Sequence, residues 1–471
     1  MANSDETSWM VPIRVMLYSL EHGEVQACSI FNVPEELREA NEDAYKPNHI
    51  SIGPLHIGAT RNLHLMEETK WRYMNEFLQR QGTKAEQNTR LNDFGLDILN
   101  LNNVICASYG GSNNNIVQET NSHEITKIMI VDGCFLLELL IKLDDYMINP
   151  ITYKNDSILK TEEKIISVLN DIAMLENQIP FLVLKKLHRK VFPDHDLKIE
   201  VDYRVGRIVC KAFGYAEEDI TGVAHILNLM HLSTVKHSQQ QQQQHEGKKA
   251  KLELLCCATK LRASGVKIRA KPNSTNQNKH KLVDMFDFDI CFHAGPGELE
   301  IPPLYIKETT EVKWRNLIAW EQSKIGITSK YTSYALFFNG LICCEHDIEL
   351  LNEKKVIINE MNKSNEDLLA LFRTISKGAE QMDSSYTEIC EKLSQHYKKR
   401  MKVTKMLQKW PILVWHHCRR ILDIIVYYGR NWYNILIHDH IPTVWKLIGI
   451  LAAILLLVLT MMQTIYSSRS G

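Results

Sequence analysis

The stretch "KTEEKIISVLNDIAMLENQIPFLVLKKL", residues 160–187, decides the fold class. Ile165, Val168, Ile172, Leu175 and Ile179 recur at alternating steps of three and four, the spacing that lines one face of an α-helix. Glu162 and Glu163 stand in the first turn, where carboxylates meet the positive end of the helix dipole. The spacing predicts one helix, ended or kinked by Pro180, whose ring carries no N–H.

Similar spacing recurs at residues 66–78, 128–143, 224–232, 252–261 and 314–320, which predicts a mainly α fold with a large helical body. A small antiparallel β element interrupts it. Phe286, Phe288, Ile290 and Phe292 alternate with Asp287, Asp289 and Cys291, "HAGPG" supplies a turn, and Leu299 and Ile301 resume the alternation. Val266 and Ile268 predict a third strand, with Lys267 and Arg269 near the two aspartates. Two breaks are expected as loops: "GGSNNN" at residues 110–115, and a mobile loop over about 235–250, where six glutamines cannot bury apolar area.

At 471 residues and 45% hydrophobic content, the chain can fill a substantial core. A formal charge of -1 leaves no global field for nucleic acid, and no nucleic-acid partner is expected. The 11 cysteines include the adjacent pairs Cys256-Cys257 and Cys343-Cys344, a pattern that suits a reducing compartment better than a secreted disulfide framework. Asp5 and Glu6 precede any apolar run, so the N-terminus does not read as a secretory signal.

Near the other end, "LIGILAAILLLVLTMM" at residues 447–462 carries no charge, with Leu447, Leu451, Leu455 and Leu459 in its run. Extended through Tyr466, it reaches the roughly 20 residues that span a bilayer core. The expected organisation is an N-terminal segment 1–29, a helical body 30–440, a transmembrane helix 444–466 and a short tail 467–471. Lys398, Lys399, Arg400, Arg419, Arg420, Arg430 and Lys446 lie upstream and only Arg469 downstream, which predicts a single-pass plasma-membrane or endomembrane protein with a cytosolic body. Between them, Trp415, Cys418, Leu422 and Ile425 share one helical face, suited either to the bilayer surface or to packing on the body.

Candidate sites are few. In "AYKPNHISIGPLHIG", residues 44–58, Pro54 removes a donor that a phosphate loop needs, and no lysine follows until Lys70. His49 and His56 are seven apart and, even with His64, match no metal-ligand spacing; nor do His416, His417, Cys418, His438 and His440. The first stretch reads as a turn fixed by Pro47, Gly53, Pro54 and Gly58, with packing histidines. Asp287 and Asp289 read as a solvated strand face.

More informative are two helices that finish alike. One places Glu176, Asn177 and Gln178 at its C-terminal end, and the other, "WRNLIAWEQ", places Glu321 and Gln322 after an apolar face. Carboxylates are unfavourable there, so both need donors, with Arg315 and Asn316 as the obvious suppliers. The group is either a buried polar network that fixes helix crossing or a ligand or partner pocket.

Seven strings in order, "VPEELREANEDAYKPNHISIGPLHIG", "MEETKWRYMNEFLQR", "IVDGCFLLELL", "DIAMLENQIPFLVL", "GELEIPPLYI", "TEVKWRNLIAWEQ" and the terminal apolar run, resemble the plant family called domain of unknown function 247. The resemblance spans residues 30–466, although Leu55 stands where the family pattern tends towards tyrosine. It implies a land-plant protein, a largely helical body, a C-terminal membrane anchor and no established enzymatic activity; in grasses, members are associated with self-incompatibility recognition. It supplies no catalytic residues. The leading expectation is a membrane-anchored module that recognises an unknown protein, without catalytic residues, cofactor or metal. The alternative is a membrane-tethered enzyme of unknown reaction using the region of Glu176 and Glu321.

Overall fold

A computed structural model of the protein describes residues 28–58, 66–80, 84–110, 120–193, 198–215, 222–239, 256–272, 286–324, 327–379, 384–435 and 444–469, with residues 10, 17 and 117. In chain order the first helices are α1 (Glu35–Arg38), α2 (Glu67–Gln79), α3 (Lys84–Asn100), α4 (Asn102–Ser108), α5 (Ser122–Ile148), α6 (Glu162–Ile172), α7 (Phe181–Val191), α8 (Lys198–Phe213) and α9 (Ile226–Gln239). α5 is the axis of this half. Over 129–140 it is buried on every side, its apolar residues interrupted only by the ion-paired Asp132 and Glu138, and α2, α3, α7 and α8 pack against it. At Gly133 a Cβ would come within 2.4 Å of Leu187 Cδ1, so α7 packs on α5 there only because the residue is glycine.

The helix expected over 160–187 is two helices. α6 stops at Ile172, eight residues before Pro180, and Pro180 caps the start of α7. Side chains unwind the intervening segment: Leu175 N–H donates to Asn316, while Asn177 takes the carbonyl of Asp171 and Gln178 those of Ile172 and Met174. Ile165, Val168 and Ile172 form the buried helical face; Leu175 and Ile179 are buried from the loop. α9 continues through Gln239, into the stretch expected as a mobile loop; residues 240–250, and 111–115 of the asparagine-rich stretch, lie outside the described residues.

Next come α10 (Ala258–Ala263), β1 (Lys267–Ala270), β2 (Cys291–His293), β3 (Glu298–Ile301) and β4 (Leu304–Ile306). The hairpin β2–β3 is antiparallel, Phe292 opposite Leu299, and β1 joins β3 in parallel, Ile268 opposite Leu299. Residues 286–290 keep the predicted alternation of burial without ladder bonds. Lys267 and Arg269 lie 3.7 and 3.3 Å from Glu298, not beside the aspartates, and Lys271 pairs with Asp289. α10 covers only the end of the helix expected over 252–261; residues 252–255 lie outside the description.

The chain continues through α11 (Thr310–Ser323), α12 (Lys330–Leu341), α13 (Glu345–Glu353), β5 (Ile357–Asn359), α14 (Asn365–Thr374), α15 (Ser384–Ile435) and α16 (Val444–Arg469). β4 and β5 form a second, parallel sheet that alternation in 304–306 and 357–359 is too short to announce. Trp314 and Tyr334 pack with Phe286, Phe338 and Phe372 into an aromatic core between α11, α12 and α14. The chain divides into two compact units, Met1–Tyr397 and Lys398–Gly471, with the boundary inside α15.

Candidate functional site

The loop 44–58 crosses buried ground, and a buried loop must find partners for its N–H groups. Asp171 receives Asn48, His49 and Ile50 N–H at 3.2, 2.6 and 2.8 Å. Ile52 N–H reaches Asn177 Oδ1 at 2.6 Å, and Gly53 N–H reaches Asp132 Oδ2 at 2.8 Å. Burial pushes the Asp171 carboxyl above its usual range, although the three N–H groups favour its charged form. Asp132 is paired at 2.8 Å with the equally buried Lys70. The stretch thus resembles an anion-binding loop whose anions are the protein's own carboxylates.

Glu176 is buried and takes Val33 N–H at 2.6 Å and the Arg38 guanidinium, with His56 Nε2 3.3 Å away. Asn177 also donates to Ile50 O at 3.0 Å, and Gln178 Oε1 accepts Leu227 N–H at the start of α9. Asn316 bridges loops and helix: its Oδ1 accepts Leu175 N–H and its Nδ2 donates to Ala44 O and Val312 O. Arg315 pairs with Glu311 at 2.9 Å and donates to Thr374. Glu321, in the last turn of α11, accepts Tyr331 and Thr332 N–H at 3.0 and 2.8 Å and the Thr332 hydroxyl, with His231 Nε2 at 3.0 Å. Gln322 Nε2 donates to Thr332 Oγ1 at 3.1 Å.

Arg315 and Asn316 are therefore not the suppliers of Glu176 and Glu321. Glu176 draws on α1 and the loop 44–58, and Glu321 on the N-terminus of α12, where a carboxylate meets unpaired N–H groups. Asn316 reaches the segment beside Glu176 through the Leu175 N–H. Sequence reasoning missed Arg38, Asp171 and His231, and read His56 only as a packing residue; Arg38 lies 138 residues from Glu176. The one available signal was the need of the loop 44–58 for acceptors.

The outer edge of this network opens into a pocket of about 230 Å³, lined by Asn41, Asp43, Ala44, Glu311 and Lys363 among others. Asn316 holds Ala44 from behind, and Arg315, Asn41 and Lys363 converge on Glu311. Of the histidines weighed as ligands, His49 contributes its N–H to Asp171 and His56 faces Glu176; His416 and His417 are exposed, while His64, His438 and His440 lie outside the described residues. Asp289 N–H donates to Asp287 Oδ1 at 3.0 Å, and Asp287 is exposed. Among the described residues one other set has metal-ligating character: Cys257, Cys343 and Asp347.

The architecture is that of a largely helical protein with one helix, Val444–Ser467, long and apolar enough to cross a membrane. The family model described as a plant protein of unknown function matches residues 30–459, and the chain belongs to that family, domain of unknown function 247. It is similar to two proteins of Arabidopsis thaliana: a UPF0481 protein, 26% identical over 94% of this chain and 87% of the relative, and a putative UPF0481 protein, 21% identical over 98% and 94%. No solved structure matches the chain.

Proposed function

We propose that the chain is a membrane-anchored recognition module, with α16 in a bilayer, the body in the cytosol, and a polar pocket that receives a side chain of another protein. The observation that carries the recognition reading is the pocket's size and wall. About 230 Å³ falls below the roughly 300–1,000 Å³ of small-molecule sites, and its wall presents Asp43 and Lys363 on a backing of fixed hydrogen bonds. Such a recess suits one polar side chain of a partner. The reading of a membrane-tethered enzyme of unknown reaction using the region of Glu176 and Glu321 draws less support, because each carboxylate is committed to two or more internal donors. Both relatives carry names that state no activity.

Proximity labelling in plant cells tests the proposal with the full chain. Replacing Asp43 and Lys363 together by alanine is expected to remove partners that the wild type labels, with membrane fractionation unchanged. Identical labelled sets would reject the pocket as the recognition element.

A further inference from the structure

Two sequence-distant cysteine pairs converge at the N-termini of α10 and α13. Cys257 is the residue before α10 and Cys344 the residue before α13, both in extended backbone. Asp347, in the first turn of α13, ties the two termini together. Its Oδ1 accepts Thr259 N–H at 2.8 Å, and its Oδ2 accepts Cys343 and Cys344 N–H at 2.9 and 3.1 Å. The consequence is a preset cluster: Cys257 Sγ, Cys343 Sγ and an Asp347 carboxylate oxygen lie within 4.8 Å of one another.

We propose that Cys257, Cys343 and Asp347 form a binding site for a borderline-soft divalent cation of the zinc class. Around a tetrahedral zinc with Zn–S of about 2.3 Å, two sulfurs stand about 3.8 Å apart, so the cluster closes on the ion with shifts of about 1 Å or less. The donor set decides the class of cation. Two thiolates select zinc, cadmium or cobalt over magnesium and calcium, which require oxygen ligands. Cys257 and Asp347 are buried whereas Cys343 is exposed, so the ion has a fixed floor and an entry path from solvent. Besides the backbone donors, Asp347 meets the Thr259 side chain and Cys344 Sγ at 3.4 Å, and ligation exchanges one of these weaker side-chain contacts for the metal. Binding exchanges two thiol protons, released to solvent, for one M²⁺; no electron is transferred. With two thiolates and one carboxylate the filled site has charge -1, and Lys260 stands within electrostatic reach of Cys343. Three protein ligands leave the fourth position to water.

The probe is Co²⁺, titrated into reduced, metal-free full-length protein in detergent. The expected result is one equivalent per chain with a thiolate-to-cobalt charge-transfer band, displaced stoichiometrically by Zn²⁺. Cys343→Ser, at an exposed position, and Cys257→Ser should each abolish the band or weaken binding by more than about 100-fold. Cys390→Ser, in α15 and outside the cluster, should leave it intact. Cys343→Ser keeps the test decisive if Cys257→Ser fails to fold. Absence of the band in reduced wild type, or its persistence in Cys343→Ser, overturns the site. A Cys257–Cys343 disulfide recovered from cells by mass spectrometry, with no cobalt binding after reduction, would also overturn it, in favour of a redox pair.

Discussion

His225 shows how one buried side chain ties stability to pH. Its ring packs edge-on against Trp320 at 4.7 Å, Nε2 faces Ser29 O at 3.1 Å, and Nδ1 accepts Asn228 N–H at 3.1 Å. With Nδ1 occupied as an acceptor, the ring must be neutral with its proton on Nε2. Burial pushes the pKa down to about 3; the Ser29 carbonyl opposes that fall and the Lys324 charge adds to it. Between pH 6.5 and about 3 the unfolded chain binds a proton here that the folded chain refuses, so stability is full above 6.5 and is lost as pH falls. The expected contribution is a slope of about 1.4 kcal/mol per pH unit in that window. Urea unfolding of the detergent-solubilised chain between pH 7 and 4 checks it: His225→Gln should be less stable at pH 7 but show a shallower acid slope. Equal slopes would refute the assignment.

At the scale of elements, carboxylates and amides on one element satisfy the backbone ends of another. Glu321 of α11 caps the start of α12 and takes His231 of α9, so three helices meet on one carboxylate. Glu321→Gln removes the charge and turns an amide NH₂ towards donors. The expected loss is about 2–4 kcal/mol, since a buried charge-assisted acceptor for backbone N–H groups is replaced by a mismatched one. Gln322→Ala, losing one side-chain bond to Thr332, should cost about 1 kcal/mol. Chemical-denaturation midpoints of the two variants should therefore separate clearly; coincident midpoints would mean that the cap contributes little.

At the scale of the molecule, the apolar helix asks for a lipid environment. Val444–Ser467 is 24 residues, about 36 Å of helix against a hydrocarbon core of about 30 Å, and none of its apolar stretch is buried. In α15 the exposed Trp415, Ile421, Ile425, Tyr428 and Trp432 alternate with Arg419, Arg420 and Arg430, a composition suited to a headgroup boundary. In sealed microsomes, protease added outside is expected to digest a tag before Met1 and spare a tag after Gly471. Deleting 444–471 should release the body from membranes after alkaline extraction. A protected N-terminal tag would reverse the orientation and place the body in the lumen.

The sequence by itself determined the helical class, the antiparallel hairpin and the terminal apolar helix, because each follows from a local period or an uninterrupted run. It also marked Glu176 and Glu321, beside Asn177, Gln178 and Gln322, as carboxylates needing donors, and offered Arg315 and Asn316 as suppliers. Only the tertiary structure decided who the partners are. Asp171 was unremarkable on its helix until the fold laid the loop 44–58 across it, and Gly53 acquires its meaning where φ is +75° and a Cβ would meet Gln178 O at 2.6 Å. The break of the 160–187 helix at Ile172 has this origin in part: Asn316, 141 residues away, takes the Leu175 N–H, while Asn177 and Gln178 of the segment itself take the carbonyls of Asp171, Ile172 and Met174. Periodicity is a property of neighbours along the chain, whereas a buried hydrogen bond or a thiol cluster is a property of neighbours in space, and loop closure over more than a hundred residues leaves no imprint on spacing.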